Sequence, residues 1–497
     1  MAANFERLAA PGESITPDRR EAWAEAQHAR GRLTARERVE LLLDAGSSTE
    51  LGPRMAQHDD DQGGDGVITV RGAIDGRPVC VFAKDMSVSQ GTLAEAHARK
   101  ICRLQELALD NRIPVIGLLD TAGLRLEAGM AALAGWGAMV RNSAAASGVV
   151  PQISLVLGGC PGADALLAPL SDFVFMANAD SHLVVSAPDV VKAVTHENVS
   201  LDKLGGADVH TKISSLADGR FDNDVLAILQ LRRLFSFLPL HNRAGGAACE
   251  GLDDAQRESP ALDTLVPPAE SASYDVKELI AQVSDDGDFF ELQADFARNI
   301  VVGFARVDGR TVGVVANQSS QLAGVLDSDA ARKAARFIRF CDAFGIAVLS
   351  FVDAPGFLPG LAQEHAGIAR HVGKLLAAYA QATVPLVTVV LRKALGAAGA
   401  AMGSRALGAD LVYAWPDAQI GLIGAKGAAA LRAPGSGAAC ASDEARRRLA
   451  PEAVASGGDI DDVILPRHTR RHLARALDML QHKSRAQPWR KHANLPL

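Results

Sequence analysis

Aromatic side chains are scarce, 5% of the 497 residues. The core must therefore rest on Ala, Val, Leu and Ile, within an apolar fraction of 48% that is ordinary for a globular chain. The six cysteines, Cys80, Cys102, Cys160, Cys249, Cys341 and Cys440, are scattered, with no two closer than 22 residues. No C-x-x-C pair exists, which argues against a zinc ribbon or a redox dithiol, and a disulfide scaffold is implausible at this length. A basic excess is also missing. The 51 Lys and Arg against 58 Asp and Glu leave a net charge of −7. That argues against a protein built mainly to hold nucleic acid, while leaving room for a local basic pocket for a phosphorylated small molecule. Apolar runs are short: VPLVTVVL (Val384–Leu391) is strand-sized, against the ~18–20 residues of a membrane span. The first residues carry Glu6 and Arg7 where a secretory signal needs an apolar run. A soluble, cytoplasmic protein with no membrane span is expected.

What the chain does have is a long internal repeat. Asp75-Gly76-Arg77 and Asp308-Gly309-Arg310 lie 233 residues apart. IPVIGLLDTAG (Ile113–Gly123) and IAVLSFVDAPG (Ile346–Gly356) share that offset of 233. VPQISLVLGGCPGA starts at Val150 and VPLVTVVLRKALGA at Val384, 234 apart. Asp172 in SDFVFM and Asp410 in ADLVYA differ by 238. Similar blocks in one order at a nearly constant offset mark two copies of one domain.

Each copy opens with an alternating run folded about Asp-Gly, which predicts a β-hairpin. A helical pattern follows, LAEAHARKICRLQELALDN in the first copy and AARKAARFIRFCDAFG in the second. Then come an apolar strand ending in Asp-x-x-Gly, an Ala-rich helix, a second apolar strand and a Gly/Ala-rich turn. Strands alternating with helices predict a parallel α/β sheet, and continuous Val/Ile/Leu runs predict strands buried on both faces. Residues 244–274 read as the linker, with the boundary near Pro267-Pro268, giving domains 1–265 and 266–497. Helices are expected over Ala22–Leu43, within residues 269–288 and over His472–Lys483.

The turns after the buried strands read Gly158-Gly159-Cys160-Pro161-Gly162-Ala163 and Lys393-Ala394-Leu395-Gly396-Ala397-Ala398-Gly399. A strand-to-helix turn of small residues aims backbone N–H groups at one point and lets a ligand touch them, which suits a developing oxyanion. Close helix–sheet packing requires the same small residues. The loops Asp120–Gly129 and Asp353–Glu364 follow strands at their carboxyl ends, where open α/β sheets bind ligands. Asp120 and Asp353 suit acid–base work or the capping of their turns. Arg125 suits a phosphate or carboxylate, or an ordinary ion pair. His365 and His371, six apart, do not share a helical face for a metal, and no metal site is expected. No H-E-x-x-H, P-loop or nucleophile elbow occurs. Any chemistry falls to backbone dipoles.

Several stretches resemble a known family: Ala29–Gly52, Leu93–Ile101, ISLVLGGC, VKAVTHENVSLDKLGGADVH, RFIRFCDAF, VDAPGFLPG, RKALGAA and YAWPDAQIGLIGAKGA. The chain resembles the carboxyltransferase β subunits of biotin-dependent acyl-CoA carboxylases, propionyl-CoA carboxylase type, from about Ala29 to the end. The resemblance implies two tandem crotonase-like domains of the ClpP/crotonase spiral type. It implies a site shared between subunits of a homo-hexamer, biotin carried by a partner protein, and a coenzyme A thioester as substrate. Biotin carboxylase and a biotin carboxyl carrier subunit are the implied partners. Carried over by motif, Gly162 and Ala163 form the acyl-CoA oxyanion hole, and Ala397 and Ala398 the biotin one. Gly123, Arg125, Gly396, Gly399 and Ala400 fall at substrate positions, and Gly356, Phe357 and Leu358 on a biotin-side loop. The family's Cys-Ala-Gly-Gly-Ala reads Cys160-Pro161-Gly162-Ala163-Asp164 here, which restricts position 163 if its φ is positive and adds a charge at 164. Gly399 and Ala400 replace a Tyr and an Asp, which predicts tolerance of acyl chains larger than acetyl. Carboxyl transfer is the leading expectation. Malonyl- or methylmalonyl-type decarboxylation or transcarboxylation, and a non-catalytic structural paralogue, are the alternatives.

Overall fold

The structure, a computed structural model, describes residues 17–55, 66–177, 180–247, 251, 253–424, 447–489 and 491. Two compact units are present, Met1–Ala244 and Gly245–Leu497.

In the first unit a seven-stranded sheet runs β1 (Thr49–Glu50), β2 (Val67–Ile74), β3 (Arg77–Lys84), β4 (Val115–Leu119), β5 (Gln152–Val156), β7 (Phe173–Ala177) and β9 (Gly219–Phe221). Between these lie the short parallel strands β6 (Gly159–Pro161) and β8 (His182–Val184), which pair with each other. β1 to β3 are antiparallel and the rest of the sheet is parallel. The hairpin β2–β3 turns on Asp75 (φ 49°) and Gly76 (φ 73°), two positive-φ residues as a tight two-residue hairpin requires. β4, β5 and β7 are buried along their whole length.

The second unit repeats this order. Its strands are β10 (Phe289–Leu292), β11 (Ile300–Val307), β12 (Arg310–Asn317), β13 (Ala347–Ala354), β14 (Leu386–Leu395), β15 (Leu411–Ala414) and β17 (Asp462–Val463), with β16 (Gln419–Gly421) pairing β14 off that path. Asp308 (φ 54°) and Gly309 (φ 72°) repeat the hairpin turn.

Each unit packs a long helix beside its hairpin, Glu95–Asn111 in the first and Ser328–Ala343 in the second. Both helices bury a lysine at the same repeat position. Lys100 Nζ donates to the Val67 carbonyl at 2.6 Å. Lys333 Nζ donates to the carbonyls of Gln293, Phe296 and Ile300, each at 2.8 Å. A buried ammonium with carbonyl acceptors keeps its hydrogen bonds while its stem packs in the core.

Three expectations change. The contact boundary falls at Ala244/Gly245 rather than near Pro267. The reason is that residues 253–274 fold onto the second unit: Arg470 donates to the carbonyls of Asp253 and Asp254, Ser259 N donates to the Arg467 carbonyl, and Leu262 enters that unit's core. The helix expected over Ala22–Leu43 is two helices, Pro17–His28 and Ala35–Leu42. Gly31 (φ 68°) breaks it, and Thr34 restarts it with a capping box to Glu37. The C-terminal helix is Thr469–Met479, starting before His472.

Candidate functional site

In the first unit the turn follows β5. Gly158 lies so close to the Asp120 carboxylate that an added Cβ would fall 2.0 Å from Oδ1. Gly162 takes φ +67° and Ala163 returns to φ −62°, opening a 3-10 turn over Asp164–Leu166. The second unit repeats this after β14. Gly396 takes φ +61° and the helix Gly396–Ala401 begins at once. Gly162 and Gly396 are repeat partners, and positive φ is the conformation glycine adopts without strain. Glycine therefore turns the buried strand straight into a helical segment in both copies.

The N–H groups of these turns decide what each can hold. The Gly162 N–H donates to the Val184 carbonyl at 2.8 Å. This corrects the expectation that Gly162 supplies an oxyanion donor, because its N–H is spent on β8. Among the described residues the Ala163 and Asp164 N–H groups have no hydrogen-bond partner. They correspond through the repeat to Ala397 and Ala398. Those two lie in the first turn of their helix, where N–H groups lack an i−4 acceptor, and no side chain caps that end. The unspent donors are thus Ala163 with Asp164, and Ala397 with Ala398. Sequence reasoning missed Asp164, although the offset of 234 already pointed to it. Ala163 meets no conflict, since its φ is negative.

The Asp164 side chain is fully buried and its charge is met. Lys84 Nζ, at the end of β3, lies 2.7 Å from Asp164 Oδ2, with both side chains almost inaccessible. Thr121 Oγ1 lies 3.5 Å from the same oxygen and donates to the Gly91 carbonyl at 2.7 Å. Asp164 Oδ1 has no protein partner among the described residues. Asp164 also lines a cavity of about 30 Å³ with Lys84, Gln105 and Ser154, enough for a bound water.

Asp120 and Asp353 are neither caps nor free acids. Asp120 is paired with Arg32 and, at 3.0 Å, with Arg38, which also holds Asp224 at 2.8 Å. Asp353 is paired at 2.9 Å with Arg392, whose guanidinium lies 5.2 Å from the Tyr274 ring centre. Burial pushes the Tyr274 hydroxyl well above its ordinary range, and the Asp353 charge pushes it the same way. These carboxylates anchor the strand ends. The arginines were not legible as their partners, because Arg32 and Arg38 come from the N-terminal segment while Arg392 comes from β14.

The remaining expected residues are placed as follows. Gly123 (φ 98°) is a buried turn whose N–H meets Thr121 Oγ1 and whose carbonyl accepts from Leu93 N. Half-buried Arg125 is held by Thr92, Nε to Oγ1 at 3.2 Å. Gly356 and Leu358 clasp Leu326 through backbone hydrogen bonds, and Phe357 bridges it. Glu364 and His365 face solvent. Gly399 is required by packing, because an added Cβ would lie 2.4 Å from the Ala394 carbonyl carbon. Ala400 is exposed and lines a cavity of about 320 Å³ with Gly396 and Gly399. From Ala425 the motif Tyr413–Ala428 lies outside the described residues, as do Cys249 and Cys440.

Cys80, Cys160 and Cys341 are buried free thiols, and Cys102 is half-buried. Burial pushes Cys80 and Cys102 up to about 11, and Cys160 and Cys341 further. Among the described residues no cluster of three or more His, Cys, Asp or Glu could hold a metal ion. No described helix is long and apolar enough to cross a membrane.

Two glycine-led turns with unspent N–H groups, one in each copy of a repeated α/β unit, meet the comparison that decides the family: the carboxyl transferase domain matches residues 26–495. The chain belongs to the carboxyl transferase family. This carboxyltransferase is 48% identical over 486 residues to the propionyl-CoA carboxylase beta chain of Roseobacter denitrificans, covering 95% of each. It is 46% identical to the mitochondrial propionyl-CoA carboxylase beta chain of Homo sapiens, covering 95% of this chain and 90% of that one. The transcarboxylase 12S structure, a hexamer assembly with methylmalonyl-coenzyme A bound, matches with a TM-score of 0.94 and 40% identity over 100% of this chain and 99% of that one. The carboxyltransferase fold is two tandem crotonase-like domains.

Proposed function

We propose that the chain moves a carboxyl group from biotin, carried on a partner protein, to the α-carbon of an acyl-CoA of the propionyl-CoA type. The observation that supports this most is the repeated turn, Gly162 at φ +67° and Gly396 at φ +61°, each followed by two residues with available N–H groups. The Ala163 and Asp164 N–H groups hold the thioester oxygen as negative charge develops on it. The Ala397 and Ala398 N–H groups hold the urea oxygen of biotin. Both are fixed backbone dipoles, which pay no reorganisation when the charge appears. Small side chains fit a flat ring placed against the helix start. Biotin, when bound, supplies the carboxyl group and a ring nitrogen able to accept the α-proton. No side-chain base is then needed, in keeping with the ion-paired Asp120 and Asp353.

The same donors serve both directions of transfer, so decarboxylation and transcarboxylation use the same arrangement. The feature that favours a non-catalytic paralogue is the altered turn Pro161–Asp164, and of its changes the charge at 164 is met by Lys84. The test uses the purified chain with methylmalonyl-CoA as carboxyl donor and free biotin as acceptor. Propionyl-CoA is expected to accumulate, dependent on biotin. Its absence at equal folded fraction would reject the reading.

Biotin carboxylase and a biotin carboxyl carrier complete the cycle in this proposal, in the cytoplasm. A site shared between copies requires assembly, and a homo-hexamer is expected. Light scattering on the active preparation checks this. A monomer that transfers carboxyl groups would rule out a shared site.

A further inference from the structure

Asp120 follows β4 and Asp353 closes β13, at the repeat offset, and each carboxylate meets a buried guanidinium. The two guanidinium groups come from different places. In the second unit the arginine is on the neighbouring strand. Arg392 of β14 donates Nε and Nη2 to Asp353 Oδ2 at 3.1 and 2.9 Å. Its Nη1 donates at 2.6 Å to the carbonyl of Ala272, on the segment that leads into the unit. In the first unit the residue at the place of Arg392 is Gly158, which has no side chain to give. Arg32 supplies the guanidinium instead, from the N-terminal segment between the helices Pro17–His28 and Ala35–Leu42. Its Nη2 donates to Asp120 Oδ2 and, at 2.8 Å, to the Leu157 carbonyl at the end of β5. A Cβ added at Gly158 would collide with that same Nη2. Donor and acceptor are thus exchanged between the copies: strand guanidinium to leading-segment carbonyl in the second, leading-segment guanidinium to strand carbonyl in the first.

Stability alone does not account for building this pair twice by different routes. A buried ion pair replaced by well-packed apolar groups is often neutral or better. A planar guanidinium bonded to two groups, by contrast, fixes their separation. Arg32 fixes Asp120, after β4, against Leu157, the residue just before the turn Gly158–Ala163. Thr121, next after Asp120, donates its N–H to the Gly159 carbonyl at 2.7 Å, and its Oγ1 lies 3.5 Å from Asp164 Oδ2. A shift of Asp120 or Leu157 is therefore carried to both ends of the turn that presents the Ala163 and Asp164 N–H groups. Backbone donors stabilise a developing charge only when they are aimed at the oxygen within a fraction of an ångström.

We infer that Arg32 is a positioning residue of the first site, its guanidinium setting the ends of β4 and β5 so that the Ala163 and Asp164 N–H groups converge on the thioester oxygen. Arg392 has the same task for Ala397 and Ala398. The N-terminal segment is by this reading part of the acyl side of the site, although none of its residues touches the substrate. The inference rests on the carboxyl-transfer reading above and adds residues that act through the turns.

The test uses the purified chain, methylmalonyl-CoA as donor and free biotin as acceptor, with rates compared at equal folded fraction. Arg32→Ala is expected to lower kcat by ~10–10²-fold, the cost of an ångström-scale misplacement, with KM for free biotin nearly unchanged. Arg38 still pairs with Asp120 at 3.0 Å, so the substitution strands no buried carboxylate. The double variant Arg32→Ala/Gly158→Arg moves the guanidinium to the place it holds in the second copy and is expected to recover kcat to within a few-fold of the parent. Leu42→Ala is the structural control. Leu42 is fully buried on the helix that follows Arg32, so its truncation weakens the docking of the same segment and leaves the guanidinium in place. It is expected to lower stability with kcat unchanged. Arg32→Lys, which keeps the charge and loses the planar fork, gives the same split between kcat and KM should Arg32→Ala or the double variant fold poorly. Parental kcat in folded Arg32→Ala or Arg32→Lys overturns the inference and leaves the carboxyl-transfer reading intact. A folded double variant as slow as Arg32→Ala overturns it as well, and so does a kcat loss in Leu42→Ala equal to that in Arg32→Ala. No turnover by the parent chain sinks the carboxyl-transfer reading and this inference together.

Discussion

Ala163→Pro is expected to slow carboxyl transfer by ~10²–10³, about 3–4 kcal/mol of barrier, the typical loss of one oxyanion donor. The substitution suits its position. Ala163 has φ −62°, inside the range that the proline ring imposes. Its N–H has no partner among the described residues, so proline removes no hydrogen bond from the fold. Gly162, at φ +67°, precedes it and already stands outside the helical region that a following proline disfavours. Ala398→Pro makes the matching test in the second copy, in the first turn of its helix, where no i→i−4 bond is lost. His365→Ala is the control, because His365 is exposed and has no assigned role. Rates are compared at equal folded fraction. Should His365→Ala abolish turnover while both proline variants retain it, the backbone-donor mechanism is wrong and a side-chain acid or base near Glu364 must be sought.

The repeat carried most of what was legible beforehand. Both Asp-Gly hairpins and the buried strands β4, β5, β13 and β14 follow from alternation, turn chemistry and apolar runs, because local pattern and tertiary burial agree there. The break between Pro17–His28 and Ala35–Leu42 was also written locally, in Gly31 and the Thr34–Glu37 capping box. Charge alone had made that stretch look continuous. The domain boundary was not legible, since a segment rich in turn formers can still dock on a neighbour, as residues 253–274 do through Arg470.

At the candidate site, the small residues of the two turns point to a glycine-led turn into a helical segment in both copies, yet they do not say which N–H groups are free. That depends on β8, whose Val184 carbonyl lies far along the chain from Gly162 and takes its N–H. The ion pairs were hidden for the same reason. Asp120 and Arg32 are separated by 88 residues, and Asp353 and Arg392 by 39. No local spacing reveals such partners, and single-residue logic offers acid–base work or turn capping for carboxylates that pair with guanidinium groups.

Asp164→Ala is expected to destabilise the protein by ~3–5 kcal/mol, the usual cost of leaving one member of a buried ion pair alone. Lys84 would keep its ammonium in a space with almost no water access and without its carboxylate. Thr121 Oγ1, a neutral hydroxyl that already accepts from Gly123 N, cannot replace its charge. Lys84→Met alone should cost a similar amount by stranding Asp164, whose Oδ1 already lacks a protein partner. The double variant Lys84→Met/Asp164→Ala removes both charges and is expected to recover most of the stability, because a buried pair replaced by apolar groups of similar volume is often neutral. Denaturant unfolding of the four proteins gives the coupling energy directly. The site reading adds a second expectation. The proposed donor at 164 is the backbone N–H, which every side chain at that position retains, so the double variant should transfer carboxyl groups within a few-fold of the parent rate. If it refolds to full stability yet loses ~10²-fold or more in rate, comparable to the loss of an oxyanion donor, the charges themselves act on the reacting thioester and the backbone-only account of the first site fails.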